Sequence, residues 1–113
     1  MPPVKHPKAR TAAECLQLRQ LPNVGPAMVR DLTLLGIERP AQLATCEGYA
    51  LYRQLERLTG QRQDPCVLDT FLALVDFMQG AEPRPWWHYT AARKERFGEL
   101  QLHAPPVGSE ASI

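Results

Sequence analysis

The chain has 113 residues, 44% of them hydrophobic and 22% charged, with a formal net charge of +1. That size fits one domain with one ordinary core, the composition is that of a folded chain, and the near-neutral balance excludes a strongly basic nucleic-acid binder. No apolar run reaches the roughly 18 residues of a membrane span, Met1 to Arg10 lacks the apolar core of a secretory leader, and Cys15, Cys46 and Cys66 have no metal or disulfide spacing, so a cytoplasmic protein without a membrane partner is expected.

Residues 1–10 hold three prolines and few apolar residues, and read as a flexible arm. Thr11-Ala12-Ala13-Glu14 has capping-box spacing, which predicts a first helix running to about Gln20 with Cys15, Leu18 and Leu21 inward. A second helix is expected from Gly25 or Pro26 to Leu35, stopped by Gly36 with Ile37 as the apolar contact of that cap. Pro40 opens a short helical turn, Ala41 to Ala44. A fourth helix fits Glu47 to Thr59, with Leu51, Tyr52, Leu55 and Leu58 as its stripe and Gly60 as its end. Asp64-Pro65 signals the start of a fifth, ending at Gly80. It is the most apolar segment and belongs at the centre of the core, with Asp69, Ala73, Asp76 and Gln79 as a polar or small strip. Thr90 caps a last helix, Ala91 to Phe97. Residues 99–113 read as a flexible tail. The expectation is an all-α domain over 11–98, built from five to six short helices.

The stretch with the most chemistry is Leu21-Pro22-Asn23-Val24-Gly25-Pro26. Asn23 and Gly25 both tolerate positive φ, Gly25 suits an N-cap, and Pro26 suits the first helical turn. This is the pattern of a helix-hairpin-helix. Its second helix begins with free amides and a positive dipole end, able to hold a backbone phosphate without reading sequence. The expected DNA-phosphate contacts are Asn23, Val24, Gly25, Ala27 and Arg30. Two departures weaken the pattern. Asn23 stands where the first glycine usually is, and Ala27 stands where a Lys or Arg is common.

Positive charge concentrates at the ends of the chain. Residues 1–10 carry +3 and residues 84–96 carry +3, whereas residues 11–83 carry −3. Arg84-Pro85-Trp86-Trp87-His88-Tyr89 with Arg93, Lys94 and Arg96 therefore offers a supporting basic patch with aromatic rings. The plainer expectation for Trp86 and Trp87 is packing over the fifth helix. Asp69 and Asp76 lie two turns apart, too far for one ion without further ligands, and are expected to be surface acids paired with Arg93 or Lys94. Cys66, near a helix start, is expected to be a buried thiol rather than a dipole-activated one. No P-loop, nucleophile elbow, dinucleotide fingerprint or metal motif is present, so neither catalysis nor a cofactor is expected.

Taken in order, Leu21-Pro22-Asn23-Val24-Gly25-Pro26, Asp31-Leu32, Leu35-Gly36-Ile37, Leu51-Tyr52, Asp64-Pro65-Cys66-Val67-Leu68-Asp69, Pro85-Trp86-Trp87 and Arg93-Lys94 resemble the bacterial pathogenicity-locus or mitomycin-resistance family, over roughly residues 11–97. The resemblance implies a small intracellular helix-hairpin-helix protein linked to DNA damage or its tolerance. It carries over Asn23, Val24 and Gly25 as the turn and supplies no catalytic residues. The leading expectation is sequence-independent DNA binding without catalysis. The alternative is a protein-interaction module in which the hairpin is scaffold and Trp86-Trp87 the contact. A homodimer, or a partner with its own DNA contacts, is compatible with the small footprint of one hairpin.

Overall fold

The most apolar segment organises everything else. In a computed structural model, which describes residues 8–97, Leu68, Phe71, Leu74 and Phe77 of the central helix are buried. Four α-helices form: α1 (Pro26–Leu34), α2 (Gly48–Thr59), α3 (Pro65–Met78) and α4 (Thr90–Phe97). Four 3-10 segments accompany them, at Ala12–Glu14, Leu18–Gln20, Pro40–Thr45 and Trp86–Tyr89. Among the described residues there is no strand, and the expected all-α single domain is what forms, with the six-residue 3-10 helix Pro40–Thr45 beside the four α-helices.

α3 packs against α2, α4 and the 3-10 segments at Pro40–Thr45 and Trp86–Tyr89. Its crossing with α2 is close at Gly48. A β-carbon there would stand 2.9 Å from Leu72 Cδ2 and 3.1 Å from the Leu72 backbone nitrogen, so only glycine fits the start of α2. Glu47 caps α2, its carboxylate accepting the Tyr49 amide at 2.7 Å. Gly60 ends that helix in the left-handed conformation. α1 ends as expected, with Gly36 at φ 83° and the Ile37 amide donating to Leu32 O at 2.9 Å.

The first expected helix does not form. Two 3-10 turns stand in its place, separated by extended backbone at Cys15 and Gln17. The cause is local competition for backbone donors. The Gln20 side-chain oxygen accepts the amides of both Leu16 and Gln17 at 2.9 Å, a role that carbonyls one turn back play in an α-helix. The apolar spacing Cys15, Leu18, Leu21 is also a strict period of three, which suits 3-10 turns better than a 3.6-residue repeat. The capping box is half made. The Thr11 hydroxyl accepts the Glu14 amide, but the Glu14 carboxylate takes the Arg10 amide rather than that of Thr11.

The polar strip of α3 is a solvent face only toward its C-terminal end, where Asp76 is half-buried and Gln79 exposed. Asp69 is fully buried and Ala73 nearly so. α4 and the Trp86–Tyr89 turn lie over the strip and meet it with polar groups. Thr90 does not cap α4 from outside. It is already helical, and its hydroxyl donates to Asp69 at 2.7 Å. Asp64 precedes α3 but makes no side-chain cap bond.

Candidate functional site

The turn into α1 places one residue in the left-handed region, Asn23 at φ 69°. Gly25, which could tolerate the same conformation, is extended at φ −111° and is the N-cap, as expected. What its missing side chain provides is space: a β-carbon at Gly25 would meet nothing within 4 Å. Gly25, Pro26 and Ala27 are exposed, whereas Val24 is buried beneath them. The first amide of α1 with an intrahelical acceptor is that of Val29, which donates to Gly25 O at 3.0 Å. The amides of Gly25, Ala27 and Met28 thus stand at the helix start in the position where helices leave donors unsatisfied.

The side chain of Asn23 faces the rest of the protein. Its Nδ2 donates to Arg84 O at 2.8 Å, and its Oδ1 accepts the Trp86 amide at 3.2 Å. Among the expected contacts, Asn23 therefore offers its turn geometry while its amide group ties the turn to the connector 61 to 63 residues later. Glycine at this position would supply the geometry without the tie.

One cation of the expected arm stands against the turn. Lys8 Nζ donates to Arg19 O at 2.9 Å and to Val24 O at 2.5 Å, so an ammonium sits behind the bend. Burial lowers the Lys8 pKa, an effect opposed in part by the nearby Cys15. The Ala9 amide donates to Gln20 O at 2.8 Å, so Lys8, Ala9 and Arg10 belong to the packed domain. The rest of the expected arm, 1–7, lies outside the described residues, as does the expected tail. Arg84, whose carbonyl Asn23 holds, reaches Asp76 at 4.0 Å. The positive charge of residues 1–10 could be read from the sequence, but the seating of Lys8 on Arg19 O and Val24 O could not, because those contacts exist only once the chain folds back. Arg30 is exposed one turn into α1. Its neighbour Asp31 has its pKa pushed up by burial, partly offset by Arg30.

The expected basic patch divides. Arg93 is only 6% exposed, with Nε donating to Asp69 Oδ1 at 2.8 Å, so its guanidinium is part of the core and is not presented to a ligand. A charge on the inner side of α4 needs a partner, and Asp69 supplies it. Lys94 and Arg96 are exposed, and Arg96 lies over the Phe97 ring at 5.0 Å. The tryptophans divide in the same way. Trp86 is half-buried, whereas Trp87 is 64% exposed, contrary to the expectation that both pack on the core helix.

Asp69 and Asp76 do not act together. One is sealed by Arg93 and Thr90, and the other accepts the Tyr89 hydroxyl at 2.7 Å. Cys66 is half-buried, and burial first, then Asp64 and Asp69, push its thiol pKa up rather than down. A cleft of about 360 Å³ opens between α2, α3 and α4, where Cys46, Asp76, Tyr89 and Arg96 line it. No residue of the Asn23–Ala27 turn is among its walls. Among the described residues no group of three or more His, Cys, Asp or Glu is placed to hold a metal ion, and no helix is long and apolar enough to cross a membrane.

Fold and turn together define a small all-α protein in which α1 starts at an exposed end with no side-chain cap bond. The chain belongs to the pathogenicity-locus family, whose model matches residues 11–95. It is similar to the mitomycin resistance protein McrB of Streptomyces lavendulae, 42% identical over 84 residues, which span 74% of this chain and 80% of that relative. No solved structure matches the chain.

Proposed function

We propose that this is a non-catalytic, cytoplasmic protein that binds DNA without reading sequence, holding a backbone phosphate at the amides of Gly25, Ala27 and Met28 in a helix-hairpin-helix-like turn. One observation carries the reading: the start of α1 is exposed and bare while the Lys8 ammonium sits on Val24 O directly behind it. Open amides, a helix dipole and a fixed cation act in the same direction on an anion. Arg30 adds charge from α1, and Lys94 and Arg96 add it from α4. Arg93 takes no part. The 3-10 first arm does not weaken this reading, because the phosphate would meet only the second arm. A role in tolerating DNA damage fits the name of the mitomycin-resistance relative. The exposed Trp87 favours a second reading, a protein-contact surface with the turn as scaffold.

Titration of duplex DNA at several salt concentrations tests the proposal. Contact with about two to four phosphates predicts a log–log salt slope of roughly −2 to −4 and weak affinity. Gly25→Val would fill the open space before the amides, its β-carbon meeting nothing within 4 Å, so affinity is expected to fall with the circular dichroism spectrum intact. Binding that ignores salt, or no binding at low salt, favours the protein-contact reading.

A further inference from the structure

The segment from Arg84 to Phe97 turns one set of groups inward and another outward. Inward, the Trp86 amide is held by Asn23, the Tyr89 hydroxyl by Asp76, and Thr90 and Arg93 by Asp69. Outward, Trp87, Ala91 and Lys94 are exposed, the first in the 3-10 turn and the other two in α4. The Trp87 ring is also braced. It meets Trp86 edge-on, with centroids 5.6 Å apart and planes at 85°, within a 3-10 turn closed by the His88 amide on Pro85 O. Such a ring is presented at little further entropic cost on binding.

We propose that Trp87 is a stacking platform for an unpaired base, with Lys94 meeting a neighbouring phosphate, so that the protein prefers single-stranded to duplex DNA. This rests on the DNA-binding reading above and adds the form of DNA to it. An exposed flat ring in a segment that also turns Lys94 and Arg96 outward suits a base on a charged backbone. An apolar protein partner would instead be met by a cluster of large side chains, and this segment exposes one. Within 84–97 two of the four cations are engaged with carboxylates, Arg93 on Asp69 and Arg84 near Asp76, leaving Lys94 and Arg96 outward against Glu95. In a duplex each base already stacks on its neighbours and offers no free face to Trp87. In a single strand the face is available.

The test compares an oligodeoxythymidine with a duplex of equal length, both titrated into the full chain at low salt and followed by tryptophan fluorescence and by anisotropy of labelled DNA. The single strand is expected to bind more tightly and to quench fluorescence. Trp87→Ala is expected to weaken single-strand binding about 5- to 150-fold and to leave duplex binding unchanged. Trp87→Phe, which keeps a stacking face, is expected to restore most of the loss, and circular dichroism checks that each variant folds. If both DNAs bind and Trp87→Ala matches the wild type on the single strand, the stacking proposal fails while the phosphate reading stands. Equal losses on both DNAs without rescue by Trp87→Phe make Trp87 structural and also overturn it. If neither DNA binds, the phosphate reading fails and the stacking proposal with it.

Discussion

Replacing Asn23 with glycine and, separately, with alanine pulls apart the two tasks of that side chain. Both variants lose the bonds to Arg84 O and to the Trp86 amide, which are 2.8 and 3.2 Å long and partly buried. At about 0.5–1.5 kcal/mol per bond, Asn23→Gly is expected to cost about 1–3 kcal/mol. Asn23→Ala loses the same bonds and also forces a β-carbon into the left-handed region at φ 69°, adding about 1–2 kcal/mol. In a domain of this size each 1 kcal/mol lowers Tm by about 4–8 °C, so thermal unfolding followed by circular dichroism resolves all three proteins. The expected order is wild type, then glycine, then alanine. Tryptophan fluorescence supplies a second signal, because the freed connector carries Trp86 and Trp87. Glycine equal to wild type would mean that the two bonds contribute nothing. Alanine equal to glycine would mean that the turn does not need its left-handed residue.

Two further predictions concern the core and the thiols. Asp69→Ala strands the Arg93 guanidinium inside the protein and is expected to cost about 3–5 kcal/mol in urea unfolding, with Asp69→Leu combined with Arg93→Met recovering most of it; a loss within error for Asp69→Ala would refute the buried pair. Burial raises the pKa of Cys15, Cys46 and Cys66 above the ordinary thiol value of about 8.5, so the folded state holds these protons more tightly than the unfolded chain. Stability is therefore expected to fall as pH climbs through and beyond that value, and alkylation near pH 8 to be slower than for free cysteine. Any one of the three reacting faster than free cysteine would contradict the assignment.

Much of the fold was legible because its signals are local. Gly36 and Gly60 mark their helix ends through left-handed backbone, Pro26 and Pro65 open helices, and the apolar density of α3 gives away the centre of the core. The misreadings have two causes, polar groups that chose partners far along the chain and, at Gln20, a side chain that competed locally for backbone donors. The pairing of Asp69 with Arg93 could be read from the sequence, but as a surface pair; its burial exists only once α4 folds over α3. Thr90 looks like a cap until its hydroxyl finds Asp69. Gln20 looks like one more helical residue until its side chain takes two backbone donors and breaks the first helix. At the candidate site the turn could be read from Asn23 and Pro26, but not the tie from Asn23 to the connector, nor Lys8 on Val24 O. Each depends on a contact between segments that no spacing rule connects.

The most direct measurement is an amide-resolved NMR titration with a short DNA at low salt. The account predicts that the resonances of Gly25, Ala27 and Met28 shift first and together, and return as salt is added. DNA that shifts amides elsewhere and leaves these three unmoved would contradict it.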